Sequence, residues 1–193
     1  MRKLIVHEFM SLDGVIQAPG RPDEDRDGGF QHGGWTQPYW DNDIGKSFGA
    51  LMQEVDAFLL GRRTYVNHAE AFEPMRPGDP FGDLMNAPKK YVVSRSLEKP
   101  IWRNTTVIRD NVIESVEALK TLPGKSILTD GSSQLVHALL QHDLVDELHL
   151  LLYPLMLGSG KRLVSDGVHT TFQLRSAKPY QNGVVALNYV RQR

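Results

Sequence analysis

A chain of 193 residues with 40% hydrophobic and 23% charged content can bury a sizeable core without staples, and it reads as a single domain over residues 1–193. Its formal net charge of −1 gives no basic field that would draw nucleic acid or an anionic membrane. The absence of cysteine excludes disulfides, thiolate nucleophiles and Cys-ligated zinc, and no apolar run approaches the roughly 20 residues of a membrane span, so a soluble, cytoplasmic protein is expected.

In chain order, "KLIVHEFMS" (residues 3–11) predicts a first strand. "DNDIGKSFGALMQEV" (residues 41–55) follows with Ile44, Phe48, Leu51, Met52 and Val55 at helical spacing, and "AFLLG" (residues 57–61) as a buried strand completes a strand-helix-strand unit. Residues 89–97 and 105–110 predict strands, 114–122 a helix, 125–131 a strand, and 132–143 a helix with Leu135, Val136, Leu139 and Leu140 inward. "VDELHLLLYPLML" (residues 145–157) is the longest apolar strand. The chain closes on two β-rich runs around Gln181-Asn182-Gly183, a hairpin signal. Two Gly- and Pro-rich stretches, residues 18–38 and 72–88, are expected to be long functional loops. The fold class is therefore α/β in three layers: a mixed, mostly parallel sheet, helices on both faces and a C-terminal antiparallel hairpin.

Some apparent motifs carry nothing. "LGSGKRL" (residues 157–163) lacks the first glycine and the final Ser or Thr of a phosphate loop; the seven histidines show no metal spacing; no serine sits in a G-x-S-x-G elbow. Three predicted strand ends remain. "LLGRRTY" runs an apolar strand into Gly61, Arg62, Arg63 and Thr64; "VVSRS" into Ser94, Arg95 and Ser96; "LTDGSSQL" into Asp130, Gly131, Ser132, Ser133 and Gln134. Each pairs a turn with hydroxyls, cations or a helix start, the donors a phosphate needs. One such end alone reads equally as a helix cap with a solvated arginine. Three on one sheet edge suit a dinucleotide.

At these residues the chain resembles the dihydrofolate reductase-like superfamily, and more closely the C-terminal reductase domain of the bifunctional riboflavin-biosynthesis enzyme, RibD. The likeness runs from Leu4 to about Leu163. Its carriers are "GSSQLVHALLQHDLVDELHLLLYPLMLGSGKRL", "LLGRRTY", "YVVSRSL", and "SLDG" at residues 11–14. The resemblance implies NADPH across the strand ends, reduction of a pterin-like or ribosylaminopyrimidine substrate, and a homodimer. The chain departs from both enzymes: Gly131-Ser132 stands where dihydrofolate reductases have Gly-Gly, and residues 42–49 carry no histidine-arginine substrate segment.

The leading expectation is an NADPH-dependent reductase of a small heterocycle. Two others are carried: a dimeric nucleotide-binding sensor with little turnover, and 5-amino-6-(5-phosphoribosylamino)uracil reductase itself. Asp13 and Asp41 (with Asp43 beside it) are the candidate proton donors, each equally readable as a turn or helix cap. Trp35, Tyr39 and Trp40 are candidates for a wall against a flat substrate ring, or for anchors of their loop.

Overall fold

The structure is a computed structural model and describes residues 1–192. Its eight strands are β1 (Leu4–Ser11), β2 (Val55–Gly61), β3 (Lys89–Val93), β4 (Thr105–Ile108), β5 (Ser126–Thr129), β6 (Glu147–Tyr153), β7 (Phe172–Pro179) and β8 (Val185–Arg191). The helices are α1 (Asn42–Met52), α2 (Arg62–Phe72), α3 (Pro80–Asn86), α4 (Val112–Thr121) and α5 (Ser133–Gln141). One sheet holds all the strands in the order β4-β3-β2-β5-β1-β6-β8-β7. The first six run parallel, while β8 pairs antiparallel with both β6 and β7.

The central strands are apolar on both faces because both faces are covered. Leu4 and Val6 of β1 and Ala57 and Leu59 of β2 join Val116 of α4 and Leu135 and Leu139 of α5 in one cluster. Their alternates Ile5, Phe58 and Leu60 pack with Met52 of α1, Tyr65 of α2 and Met85 of α3 in a second. The period-2 alternation of side chains thus divides three helices from two across the sheet. A third cluster seats residues 15–44 against the end of the sheet, with Trp35, Tyr153 and Tyr180 at its heart.

Two expectations change and a third gains a detail. The stretch at residues 72–88 is not all loop: Asp79 accepts hydrogen bonds from the Phe81 and Gly82 N–H groups and Pro80 opens α3. The long apolar run at residues 145–157 pairs only over Glu147–Tyr153, since Pro154 cannot extend the ladder. The strands of the first strand-helix-strand unit are not neighbours, because β5 pairs with both β1 and β2 and lies between them. The hairpin turn falls where Asn182-Gly183 places it, with Gly183 at φ 87°. Among the described residues, no helix is long and apolar enough to cross a membrane.

Candidate functional site

The carboxyl ends of β1, β2, β3 and β5, all parallel, open into one cleft of about 1010 Å³. Ligands of open α/β sheets bind at this edge, and the volume lies at the upper end of the roughly 300–1,000 Å³ typical of small-molecule sites. All three predicted strand ends line it: Gly61 to Thr64, Ser94 to Ser96, and Asp130 to Gln134.

Two of those ends touch. A Cβ on Gly61 would fall 2.2 Å from Ser132 Oγ, and one on Gly131, whose φ is +122°, would fall 2.7 Å from Thr64 Oγ1. The Gly61 N–H donates to the Gly131 carbonyl at 3.4 Å. Glycine is therefore required at both positions by the approach of β2 and β5. Valine at Gly131 would disturb the fold itself, so it cannot probe a ligand contact alone.

The helices that start here, α2 after Gly61 and α5 after Ser132, have no side-chain cap. Their first N–H groups and positive dipole ends remain available to an anion at the cleft wall. Arg62 and Arg95 also line the cleft and form no side-chain hydrogen bond or ion pair among the described residues. Arg109 holds the loop that carries Arg95, donating to the Arg95 and Leu97 carbonyls at 3.3 and 2.9 Å. Ser94 Oγ is committed locally, accepting from the N–H groups of Ser96 and Leu97.

Arg63 is spent elsewhere. It pairs with Asp25, and with Asp27 at 2.6 Å; Lys161 meets the same two carboxylates at 2.6 and 2.7 Å. Hydrogen bonds from Arg63 and Lys161 hold the Asp27 carboxyl well below its ordinary range. This four-residue network straps the long loop to the cleft rim, and Gln17 reinforces it by donating to the Asp25 and Asp27 carbonyls.

The floor holds four titratable groups, His7, Glu8, His68 and Asp130, of which the sequence points only to Asp130. His7 and Glu8 lie on β1, 7% and 4% exposed. Burial dominates the His7 ring and lowers its pKa to about 4, so it is neutral at physiological pH. Burial, with the nearby Asp130 and Glu24 carboxylates, pushes the Glu8 carboxyl well above the usual range. His68 Nε2 meets Asp130 Oδ2 at 2.8 Å. Burial opposes both charges, but their mutual attraction and hydrogen bond prevail, raising the His68 pKa and lowering that of Asp130. The acid beside the predicted phosphate turn is thus already paired. Its other oxygen, Oδ1, and Glu8 Oε1 are buried with no hydrogen-bond partner among the described residues. The available signal was "HE" inside "LIVHEFM": two polar residues in a strand whose neighbours are all apolar.

The remaining predicted residues lie outside the residues lining the cleft. Asp13 accepts from Ser11 Oγ at 2.6 Å and from the Leu157 and Gly158 N–H groups. The Ser11 hydrogen bond leads in lowering its pKa to about 2, which leaves no proton to donate. Asp41 caps α1, accepting from the Asp43 N–H at 2.7 Å, while Asp43 pairs with Lys46. Trp35 donates from Nε1 to the Gln17 carbonyl and packs edge-on to Tyr153, as does Tyr39. Trp40 is 78% exposed. Trp35 and Tyr39 anchor the long loop, Trp40 faces solvent, and none of the three lines the cleft. Among the described residues, no three His, Asp or Glu side chains are grouped to hold a metal ion.

A mostly parallel sheet with this strand order, a terminal antiparallel hairpin and an anion-receptive cleft across the strand ends defines an α/β protein of the dihydrofolate reductase-like fold. More specifically, the chain belongs to the RibD C-terminal domain family, which it matches over residues 2–186. It is 28% identical over 192 residues to the uncharacterized protein YyaP of Bacillus subtilis, covering 97% of this chain and 94% of that protein. Among solved structures, it is similar to a pyrimidine reductase-like protein from Corynebacterium diphtheriae, with a TM-score of 0.67, 15% identity and coverage of 100% and 92% of the two chains. Dihydrofolate reductase from Enterococcus faecalis, complexed with NADP(H), matches with a TM-score of 0.65, 14% identity and coverage of 99% and 97%.

Proposed function

We propose that this chain is an NADPH-dependent reductase acting on a small heterocyclic substrate of pterin or ribosylaminopyrimidine character. The observation that carries the reading is the convergence of three strand-end turns, two uncapped helix N-termini and two unpaired arginines on one cleft. A dinucleotide has that many separate polar parts to hold. Family membership and the name of the Corynebacterium protein support a reductase; the NADP(H) in the Enterococcus structure supports the choice of cofactor.

In this reading the residue 131–134 turn and the α5 N-terminus hold the pyrophosphate, and Arg62 and Arg95 take the ribose phosphate that distinguishes NADPH from NADH. Bound dihydronicotinamide supplies hydride. The protein supplies the rest: β2 and β5 fix the cradle, the loop strapped by Arg63 and Lys161 covers one rim, and the floor of His7, Glu8 and Asp130 meets the substrate. Titration with NADPH, followed by cofactor fluorescence, tests the reading. Saturable binding is expected, and its absence contradicts it.

A further inference from the structure

Glu8 is the one floor group with a free acid and no structural task. Its side chain makes no hydrogen bond or ion pair among the described residues, it is 4% exposed, and it lines the cleft. Buried polar atoms are nearly always paired, so an orphan needs an explanation, and an absent ligand supplies one. Beside it lies the second orphan, Asp130 Oδ1, in the same cleft. The two differ in what they can give. Asp130 is ionised against His68, and His7 is neutral with its ring packed near Phe9 and Phe48. Only Glu8 combines a proton with an open position.

We propose that Glu8 is the proton donor of the reduction, facing a C=N bond of the substrate. The inference rests on the reductase reading above. As hydride adds to the carbon, the C=N π pair moves to nitrogen. There it takes the Glu8 proton: the carboxyl O–H bond breaks, an N–H bond forms, and dihydronicotinamide is oxidised to the nicotinamide cation. Glu8 is left as a carboxylate beside Asp130 and Glu24. That like-charge crowding favours its reprotonation from solvent before the next turnover.

The experiment compares wild type with Glu8→Gln and Glu8→Asp in three readouts. The first is NADPH affinity. The second is the infrared band of a protonated carboxyl at neutral pH. The third is NADPH oxidation with 7,8-dihydropterin and with 5-amino-6-(5-phosphoribosylamino)uracil as probes. Glu8→Gln should fold, bind NADPH like wild type, lose the carboxyl band and lose about 100-fold or more of the oxidation rate, with Glu8→Asp recovering part of it. Failure of wild type to bind NADPH overturns the reductase reading. With NADPH binding intact, the assignment of Glu8 is overturned by a wild-type spectrum without a band that Glu8→Gln removes. It is equally overturned by Glu8→Gln turning over at the wild-type rate, or by wild type oxidising NADPH with neither probe.

Discussion

His7 and Glu8 are adjacent on β1, and burial drives their proton affinities apart: the histidine stays neutral down to about pH 4, while the glutamate keeps its proton above the ordinary carboxylate range. The consequences for stability have opposite signs. In the unfolded chain His7 takes up a proton near pH 6.5, which the folded protein resists, so stability falls as pH drops from about 6.5 to about 4, by roughly 3 kcal/mol in total. Unfolded Glu8 releases its proton near pH 4.5 and the folded protein does not, so its burial costs stability as pH rises towards neutrality. His7→Leu should flatten the decline of the melting temperature between pH 6.5 and 4, and Glu8→Gln should raise it at pH 7. Unchanged melting profiles would contradict this burial. The strand-end residues were legible because turn chemistry is local: Gly, Arg, Ser and Thr directly follow apolar runs. His68 was not, since its meaning comes from Asp130, 62 residues away in sequence.

At the scale of elements, the strap from α2 to the long loop is the feature most open to test. Exposed ion pairs contribute little singly, but here two cations share two carboxylates, and Asp25 is only 14% exposed. Arg63→Ala should speed hydrogen exchange in residues 20–29, and high salt should do so in wild type. Protection unchanged in both would show that the loop is held by its apolar anchors alone. The sequence expectation grouped Arg63 with the phosphate donors because "GRR" offers two cations after a strand; the acids that occupy one of them lie on a loop whose path no local pattern reveals. Helix α2 was hidden for a related reason: its N-cap is Gly61, which brings no side-chain signal. Helix α3 did carry one, Asp79-Pro80, obscured by the surrounding glycines and prolines.

For the whole molecule, the fold class was legible from alternating apolar runs and the Asn-Gly hairpin, whereas the insertion of β5 between β1 and β2 depends on long-range pairing. Leu148, Leu150 and Leu151 of β6 are buried in the chain's own core clusters. Of the two edge strands, β4 and β7, the β7 edge carries Leu174, which is 49% exposed. Association of two copies through that hairpin is the form in which the homodimer expectation stands, and sedimentation at micromolar concentration should give about twice the 21.7 kDa chain mass; a monomer would contradict it. Recognition of NADPH by its ribose phosphate in this cleft is tested by calorimetric titration of wild type and Arg62→Ala with NADPH and NADH. A charge-assisted hydrogen bond contributes roughly 1.5–3 kcal/mol, so Arg62→Ala should weaken NADPH about 10- to 100-fold and leave NADH nearly unchanged. No measurable binding of either cofactor to wild type, or binding of both that Arg62→Ala leaves untouched, would rule out that recognition.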